Sequence, residues 1–172
     1  ALLLLLAQPP GLVGTVMCNS ALEGALDARG IDFHRSGVGD RNVQLAMQAR
    51  GWCVGGEPSG HVLLEDALPT GDGLITGLRA LSGGWNLEER LGGFKPFPDA
   101  QVAVPVPSKP PLADLVQVQN VLKKAEHSLE GRVLLRYSGT EPKLRILVEA
   151  ADREEALRWC VRLEEAARSE FS

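Results

Sequence analysis

The sequence predicts an α/β domain followed by a smaller α+β domain, and three observations carry that expectation. Residues 1–95 alternate short apolar runs with helical patterns, as an α/β layer with at least partly parallel strands does. The stretch GGFKPFPDAQVAVPVPSKPP, residues 92–111, holds six prolines and four further turn-forming residues in twenty positions, which marks a boundary. Residues 101–172 then read β-α-β-β-α, the order of a small antiparallel sheet with two helices on one face.

Taken in order, ALLLLL reads as a buried helix end. Its five leucines are too few to span a bilayer, and no Lys or Arg precedes them as a signal peptide requires. GLVGTVM reads as a strand, SALEGALDARG as a helix closing at Gly30, and IDFHRSG as a second strand. DRNVQLAMQARG places Val43 and Met47 at helical spacing, with Asp40 as N-cap and Gly51 as the stop. WCVGG and HVLLE are two strands flanking a turn, and TGDGLITGLRALSGG is a helix capped by Thr70 or Asp72. QVAVPV alternates like an edge strand, the kind that tolerates Pro105. Leu112 to Leu129 reads as one helix with Leu115, Val118, Val121, Leu122 and Ala125 on one side. GRVLLR and KLRILVEA are strands joined by YSGTEP. Asp152 to Glu170 is a charged amphipathic helix striped by Leu157, Cys160, Val161 and Leu163.

The 172 residues suffice for one or two domains with real cores, and 44% hydrophobic residues is a globular composition, neither disordered nor membrane-like. A net charge of −4 opposes a nucleic-acid platform, which needs an excess of Lys and Arg. Gly131 to Glu149 runs the other way, with Arg132, Arg136, Lys143 and Arg145 against Glu141 and Glu149. A basic hairpin in an acidic protein points to a small anion rather than a polymer. Cys18, Cys53 and Cys160 form no C-x-x-C pair, which fits free, buried thiols in a reducing compartment and no zinc site.

Four turns can carry chemistry. In RYSGTEPKLR, Arg136 and Arg145 can converge on a turn where Ser138 and Thr140 offer hydroxyls and Gly139 admits a close approach. Such a turn can cradle a tetrahedral anion such as a phosphate monoester between two guanidinium forks, or it can be a solvated surface hairpin. In GGEPSGH, Glu57 and Ser59 flank Pro58, and a carboxylate suits a pair of adjacent sugar hydroxyls; a solvated turn has the same residues. His61 reads as a ligand or acid/base group, or as a hydrogen-bonded structural histidine. GVGDR opens a helix whose N-terminus attracts anions, with Arg41 facing a ligand or only solvent. TGDG has one carboxylate, too few for magnesium, so it reads as a cap.

GTVMCN, GVGDR, GWCVGGEPSGH, TGDGLITGL and GRVLLRYSGTEPKLRILVE, in this order over nearly the whole chain, resemble the phosphoglucosamine mutases of the α-D-phosphohexomutase superfamily. The GVGDR form and the SGTEP loop resemble this glucosamine branch more than the phosphomannomutase/phosphoglucomutase branch. The resemblance implies that residues 1–95 are most of the superfamily's third domain, truncated at its N-terminus, and residues 101–172 the fourth, a TATA-binding-protein-like fold. It implies that Glu57 and Ser59, with His61 and Arg41, read the sugar. It implies that Arg136, Ser138, Gly139, Thr140 and Arg145 hold the phosphate that is not reacting. The loop departs from the usual GGEQSGH at Pro58, a change that would stiffen it.

The family's phosphoserine nucleophile lies in its first domain, and its Mg²⁺ on a DGDGDR loop of its second. Neither motif occurs here, so no residue of this chain is expected to be catalytic or to bind metal. The chain begins with Ala where the third domain would be entered, and is expected to be the C-terminal part of a longer enzyme, inactive alone. For the intact enzyme the resemblance implies a cytoplasmic isomerase interconverting glucosamine 6-phosphate and glucosamine 1-phosphate. The reaction would run through a phosphoserine and a bisphosphate, for amino-sugar and cell-wall precursors. Its implied partners are a phosphorylated hexosamine and the missing N-terminal domains, with no nucleic acid and no membrane. Open alternatives are a phosphomannomutase/phosphoglucomutase fragment and a non-catalytic phosphosugar-binding module. A nucleic-acid-binding protein has only the β-α-β-β-α order in its favour.

Overall fold

In the computed structural model, which describes every residue except Ala1, Pro9, Pro69 and Trp85, the chain divides between Pro96 and Phe97 into two units, each with its own sheet. The first is built on β1 (Gly11–Thr15), which has β2 (Asp32–Ser36) parallel on one side and β3 (Val54–Gly56) parallel on the other. β4 (Val62–Leu64) returns antiparallel to β3, so the order is β2-β1-β3-β4. The parallel strands need crossover connections, which α2 (Ala21–Asp27) and α3 (Asp40–Arg50) supply.

Alternation along β1 sends side chains to both faces of the sheet. Leu12 joins Leu4, Leu22, Leu26, Val54 and Leu64 in a core shared with α1 (Leu2–Leu6), α2 and α4 (Gly73–Leu81). Val13 faces the other way, onto Val43 and Met47 of α3 and Leu63 of β4. The sheet is therefore buried on both sides, which is why GLVGT carries no charged residue. The leucine run is the buried helix expected, with Leu3, Leu4 and Leu6 inside. α5 (Leu87–Leu91) is tied on by Arg90, which donates to the carbonyls of Ala80 and Leu5.

One expected cap changes. Gly39, not Asp40, is the N-cap of α3: it holds φ +117°, a conformation open to glycine, and Asp40 is the first helical residue. The Asp40 carboxylate accepts the neighbouring Arg41 N–H instead of capping the helix. Gly51 ends α3 in the left-handed conformation, φ 66°, as expected. Of Thr70 and Asp72, it is Asp72 that caps α4, its Oδ1 accepting the N–H groups of Leu74 and Ile75, each at 2.9 Å.

In the second unit β5 (Asp99–Pro105) and β6 (Gly131–Tyr137) flank β7 (Lys143–Ala150), both antiparallel to it. Pro105 ends the edge strand β5, opposite Lys143. Leu144, Ile146, Val148 and Ala150 of β7 share a core with α6 (Val116–Ser128) and α7 (Arg153–Glu170). The single helix expected from Leu112 to Leu129 is interrupted. A 3-10 turn at Leu112–Asp114 gives way to Leu115 at φ −77°, ψ 81°, outside the helical region, before α6 begins. Leu115 is itself buried in the core and has no side-chain oxygen to cap with. The Glu170 carboxylate at the far end of α7 takes that role, accepting from the N–H groups of Gln117 (2.6 Å) and Val118 (3.4 Å).

The stripe expected on α7 is half right. Cys160 and Leu163 are buried, but Leu157 and Val161 are 47% and 50% exposed. Ala156, Ala166 and Ala167 complete the buried face instead, because small side chains let α7 lie close against β5 and β7. Leu163→Ala is expected to destabilise the second unit by about 2–5 kcal/mol, while Leu157→Ala stays within about 0.5 kcal/mol. Urea denaturation of the two variants checks which stripe is real.

Candidate functional site

β6 and β7 pair residue for residue, so Arg136 stands directly opposite Arg145, and residues 138–142 join the strands. Two guanidinium groups in that relation repel. Glu141 answers one of them, with Oε2 accepting from Arg145 (2.7 Å) and Oε1 from the Lys143 ammonium (2.5 Å). Lys143 first, and Arg145 after it, hold the Glu141 carboxyl below its ordinary pKa. The Arg136 side chain makes no hydrogen bond or ion pair with any described residue. Arg145 Nε is buried without a partner among the described residues. Arg132 is instead locked on the buried Glu149 by two bonds, of 2.9 and 3.1 Å, so the unbalanced charge of the hairpin collects at its turn.

Ser138 is buried, its N–H spent on the Lys143 carbonyl (2.9 Å), while its own carbonyl accepts from Lys109 Nζ (2.6 Å). Gly139 and Thr140 are exposed at the tip. A Cβ on Gly139 would meet nothing within 4 Å, and the residue has no positive φ, so neither packing nor backbone conformation calls for glycine there. An anion approaching the backbone would. Lys109 was not among the residues singled out from the sequence. Its only signal there is a lysine fixed among the prolines of PSKPP, 29 residues before its partner.

The GGEPSGH loop is shaped by lack of space. A Cβ on Gly55 would lie 2.5 Å from Met47 Sδ, and one on Gly56 would lie 2.5 Å from the His61 carbonyl oxygen. Glu57 N–H donates to His61 O (2.8 Å) and Gly60 N–H to Glu57 O (3.1 Å). Pro58 thus occupies the second position of a turn, where its fixed φ fits, and Gly60 carries φ +102°. The Glu57 side chain turns inward, only 9% exposed, and its Oε1 accepts the Gly39 N–H at 2.8 Å. One charge-assisted bond therefore ties GGEPSGH to GVGDR.

Ser59 and His61 are exposed, with Ser59 Oγ 3.2 Å from His61 Nδ1 and Glu57 Oε2 3.9 Å from the same nitrogen. A nucleophilic relay needs its serine and its carboxylate on opposite ring nitrogens, so this trio is not one. Arg41 is exposed and its side chain bonds no described residue; only the Gly39 link brings its loop to Glu57. Beside the loop opens a cavity of about 280 Å³, lined in part by Leu2, Cys18, Asn19, Glu57, Pro58 and Phe94. Of the three thiols two lie inside, while Cys53 is exposed, against the expectation that all would be buried. Cys18 and Cys160 are buried, and burial, helped by Glu164, pushes the Cys160 thiol up to about 11.

Magnesium does not fit the residues present. Among the described residues no three His, Cys, Asp or Glu side chains gather as a metal site, and the lone carboxylate of TGDG, Asp72, is occupied as a helix cap. No described helix is long and apolar enough to cross a membrane.

Two family models match the chain: phosphoglucomutase/phosphomannomutase, alpha/beta/alpha domain III, over residues 3–83, and phosphoglucomutase/phosphomannomutase, C-terminal domain, over residues 101–166. The phosphoglucosamine mutase of Pseudoalteromonas atlantica is 43% identical over 92% of this chain and 37% of its own length. That of Ralstonia pickettii is 44% identical over 90% of this chain and 36% of its own. The chain thus spans little more than a third of the curated relatives it matches. Among solved structures, Aspergillus fumigatus N-acetylphosphoglucosamine mutase in complex with GlcNAc-6P and magnesium superposes with a TM-score of 0.72. It shares 22% identity over 94% of this chain and 39% of that one, a likeness of fold.

Glu57→Ala is expected to speed hydrogen exchange at the Gly39 amide about tenfold or more, since a hydrogen bond to a charged group contributes about 1.5–3 kcal/mol. Amide exchange followed by NMR reads this directly. Because its folded pKa is lowered, the Glu141 links hold above the ordinary carboxyl value of 4.5 and are lost as pH falls through the lowered one. A carboxyl-carbon titration should give Glu141 a midpoint below 4.5 that moves back up in Lys143→Met.

Proposed function

The chain belongs to the phosphoglucomutase/phosphomannomutase family, and on that premise we propose that it is the substrate-recognition part of a phosphoglucosamine mutase, which interconverts glucosamine 6-phosphate and glucosamine 1-phosphate. The observation that carries the reading is Arg136. It is a guanidinium without a described partner, held opposite a second arginine beside an open glycine turn. A phosphate monoester brings a compact double charge and three acceptor oxygens, and matches two guanidinium forks and a turn's N–H groups. In this reading Arg136, Ser138, Gly139, Thr140 and Arg145 hold the phosphate that is not reacting.

Glu57, Ser59, His61 and Arg41 read the sugar. With Oε1 fixed by Gly39, Glu57 keeps Oε2 for a hydroxyl, and Ser59 and His61 offer further polar atoms at the surface. A clamp on one phosphate, plus a loop that reads hydroxyls, lets the sugar be presented with either end toward the transferring group. Holding it so removes the entropic cost of encounter from the chemical step. The transfer itself, from a phosphoserine and through a bisphosphate, belongs to domains outside this chain. Magnesium, bound there, would neutralise charge on the phosphoryl group in flight. This chain's residues bind and orient; none of them exchanges the phosphoryl group. The enzyme of this reading works in the cytoplasm, which suits its three free thiols.

The test is an amide-shift titration of the 172-residue chain with glucosamine 1-phosphate, with inorganic phosphate and glucosamine as controls. Shifts are expected at residues 55–61 and 136–145. Arg136→Ala should weaken binding by about 2–3 kcal/mol, the loss of a charge-assisted pair. Unchanged affinity in that variant overturns the clamp.

A further inference from the structure

The turn that Arg136 and Arg145 flank is held from outside as well as by its own strands. The segment following β5 runs past it and makes two bonds. Val106 N–H donates to the Pro142 carbonyl (2.9 Å) at one end of the turn, and Lys109 Nζ donates to the Ser138 carbonyl (2.6 Å) at the other. Pro107, Pro110 and Pro111 fix their own φ angles, so the backbone that carries Lys109 has little freedom. An exposed lysine ordinarily leaves its ammonium in water. Here it is committed to one carbonyl.

The identity of that carbonyl matters. A trans peptide is planar, and its C=O and N–H point in opposite directions. The peptide that contributes Ser138 O also contributes Gly139 N–H, which bonds no described residue. Holding the oxygen therefore aims the N–H. The hold is needed because glycine tolerates both orientations of the preceding peptide, and a flipped one would present a carbonyl oxygen to an anion. We infer that Lys109 is a positioning residue of the phosphate turn: by pinning Ser138 O it points Gly139 N–H outward at the ligand phosphate. Its charge also joins those of Arg136, Lys143 and Arg145 around the turn. This inference rests on the phosphate reading above.

The test titrates the whole chain with inorganic phosphate and with glucosamine 6-phosphate, following amide shifts in the unaltered protein, Lys109→Met, Lys109→Arg and Arg136→Ala. Lys109→Met is expected to weaken phosphate binding roughly tenfold or more, the scale of one hydrogen bond to a charged group. Without ligand it should also displace the Gly139 amide resonance and speed its exchange. Lys109→Arg, which keeps a donor in reach, should stay within about twofold of the unaltered chain on both measures. If Arg136→Ala loses affinity while Lys109→Met binds normally, the inference fails and the clamp stands. Weaker binding in Lys109→Met with an unmoved Gly139 amide also overturns it, since charge alone would then explain the loss. An unaltered chain that binds no phosphate overturns the clamp and this inference together.

Discussion

Two arginines set face to face across β6 and β7 govern the second unit, and the register that puts them there is not negotiable. The even-numbered residues of β7, Leu144, Ile146 and Val148, enter the core, so the odd-numbered Lys143, Arg145 and Glu149 take the other face. Arg136 must then meet Arg145, and Arg132 must meet Glu149. A slip of one residue would separate the guanidinium groups, but it would also turn the core side outward. Burying each of those aliphatic side chains contributes about 1.5–3 kcal/mol, whereas a like-charge pair across a sheet costs roughly 1 kcal/mol or less. The core wins. The unbalanced charge at the turn is what an anion can use, and Glu141 offsets only part of it.

In the first unit the corresponding constraint is space. α3 packs so tightly on β3 that a side chain at Gly55 would strike Met47, and the chain returning through His61 excludes one at Gly56. The backbone can turn sharply after β3 because both positions are bare, and the turn delivers Glu57 inward to the Gly39 amide. The bond closes a circuit from α3 through β3 and the turn to the entry of α3. A loop that would otherwise be a surface appendage is thereby fixed to the helix that packs on its own strand. The same economy recurs at the turn between β6 and β7, where Val106 and Lys109 reach in from a segment remote in sequence.

Much of this was legible beforehand. The alternation of β7, the glycine stop of α3, the Asp72 cap and the edge position of Pro105 are all written locally, in residues within a few positions of where they act. The convergence of Arg136 and Arg145 was legible too, since a strand period of two and a short turn determine it. What escaped the sequence depends on groups far along the chain. The sequence leaves Glu57 either reading a ligand's hydroxyls or solvated, because nothing nearby names Gly39 as its partner, 18 residues away. Asp40 had the right chemistry for a cap, but the conformation of Gly39 displaced it. Leu157 and Val161 had the right hydrophobicity for a core, but alanines one step around the helix allowed a closer approach. The break at Leu115 is accompanied by a cap from Glu170, a partner too far along the chain for local propensity to record.

The Glu170 carboxylate at the start of α6 has a meaning for how the chain is made. The amides it serves belong to Gln117 and Val118, and the first of them precedes it by 53 residues. A ribosome adding about 5–20 residues per second leaves that interval on the order of 3–10 s long. Throughout it the N-terminus of α6 is without its acceptor, and for more than half of it β7, the middle strand of the sheet, is incomplete. The cap on α6 therefore forms only after the last turn of α7 has been synthesised, so the start of the one helix waits on the end of the other.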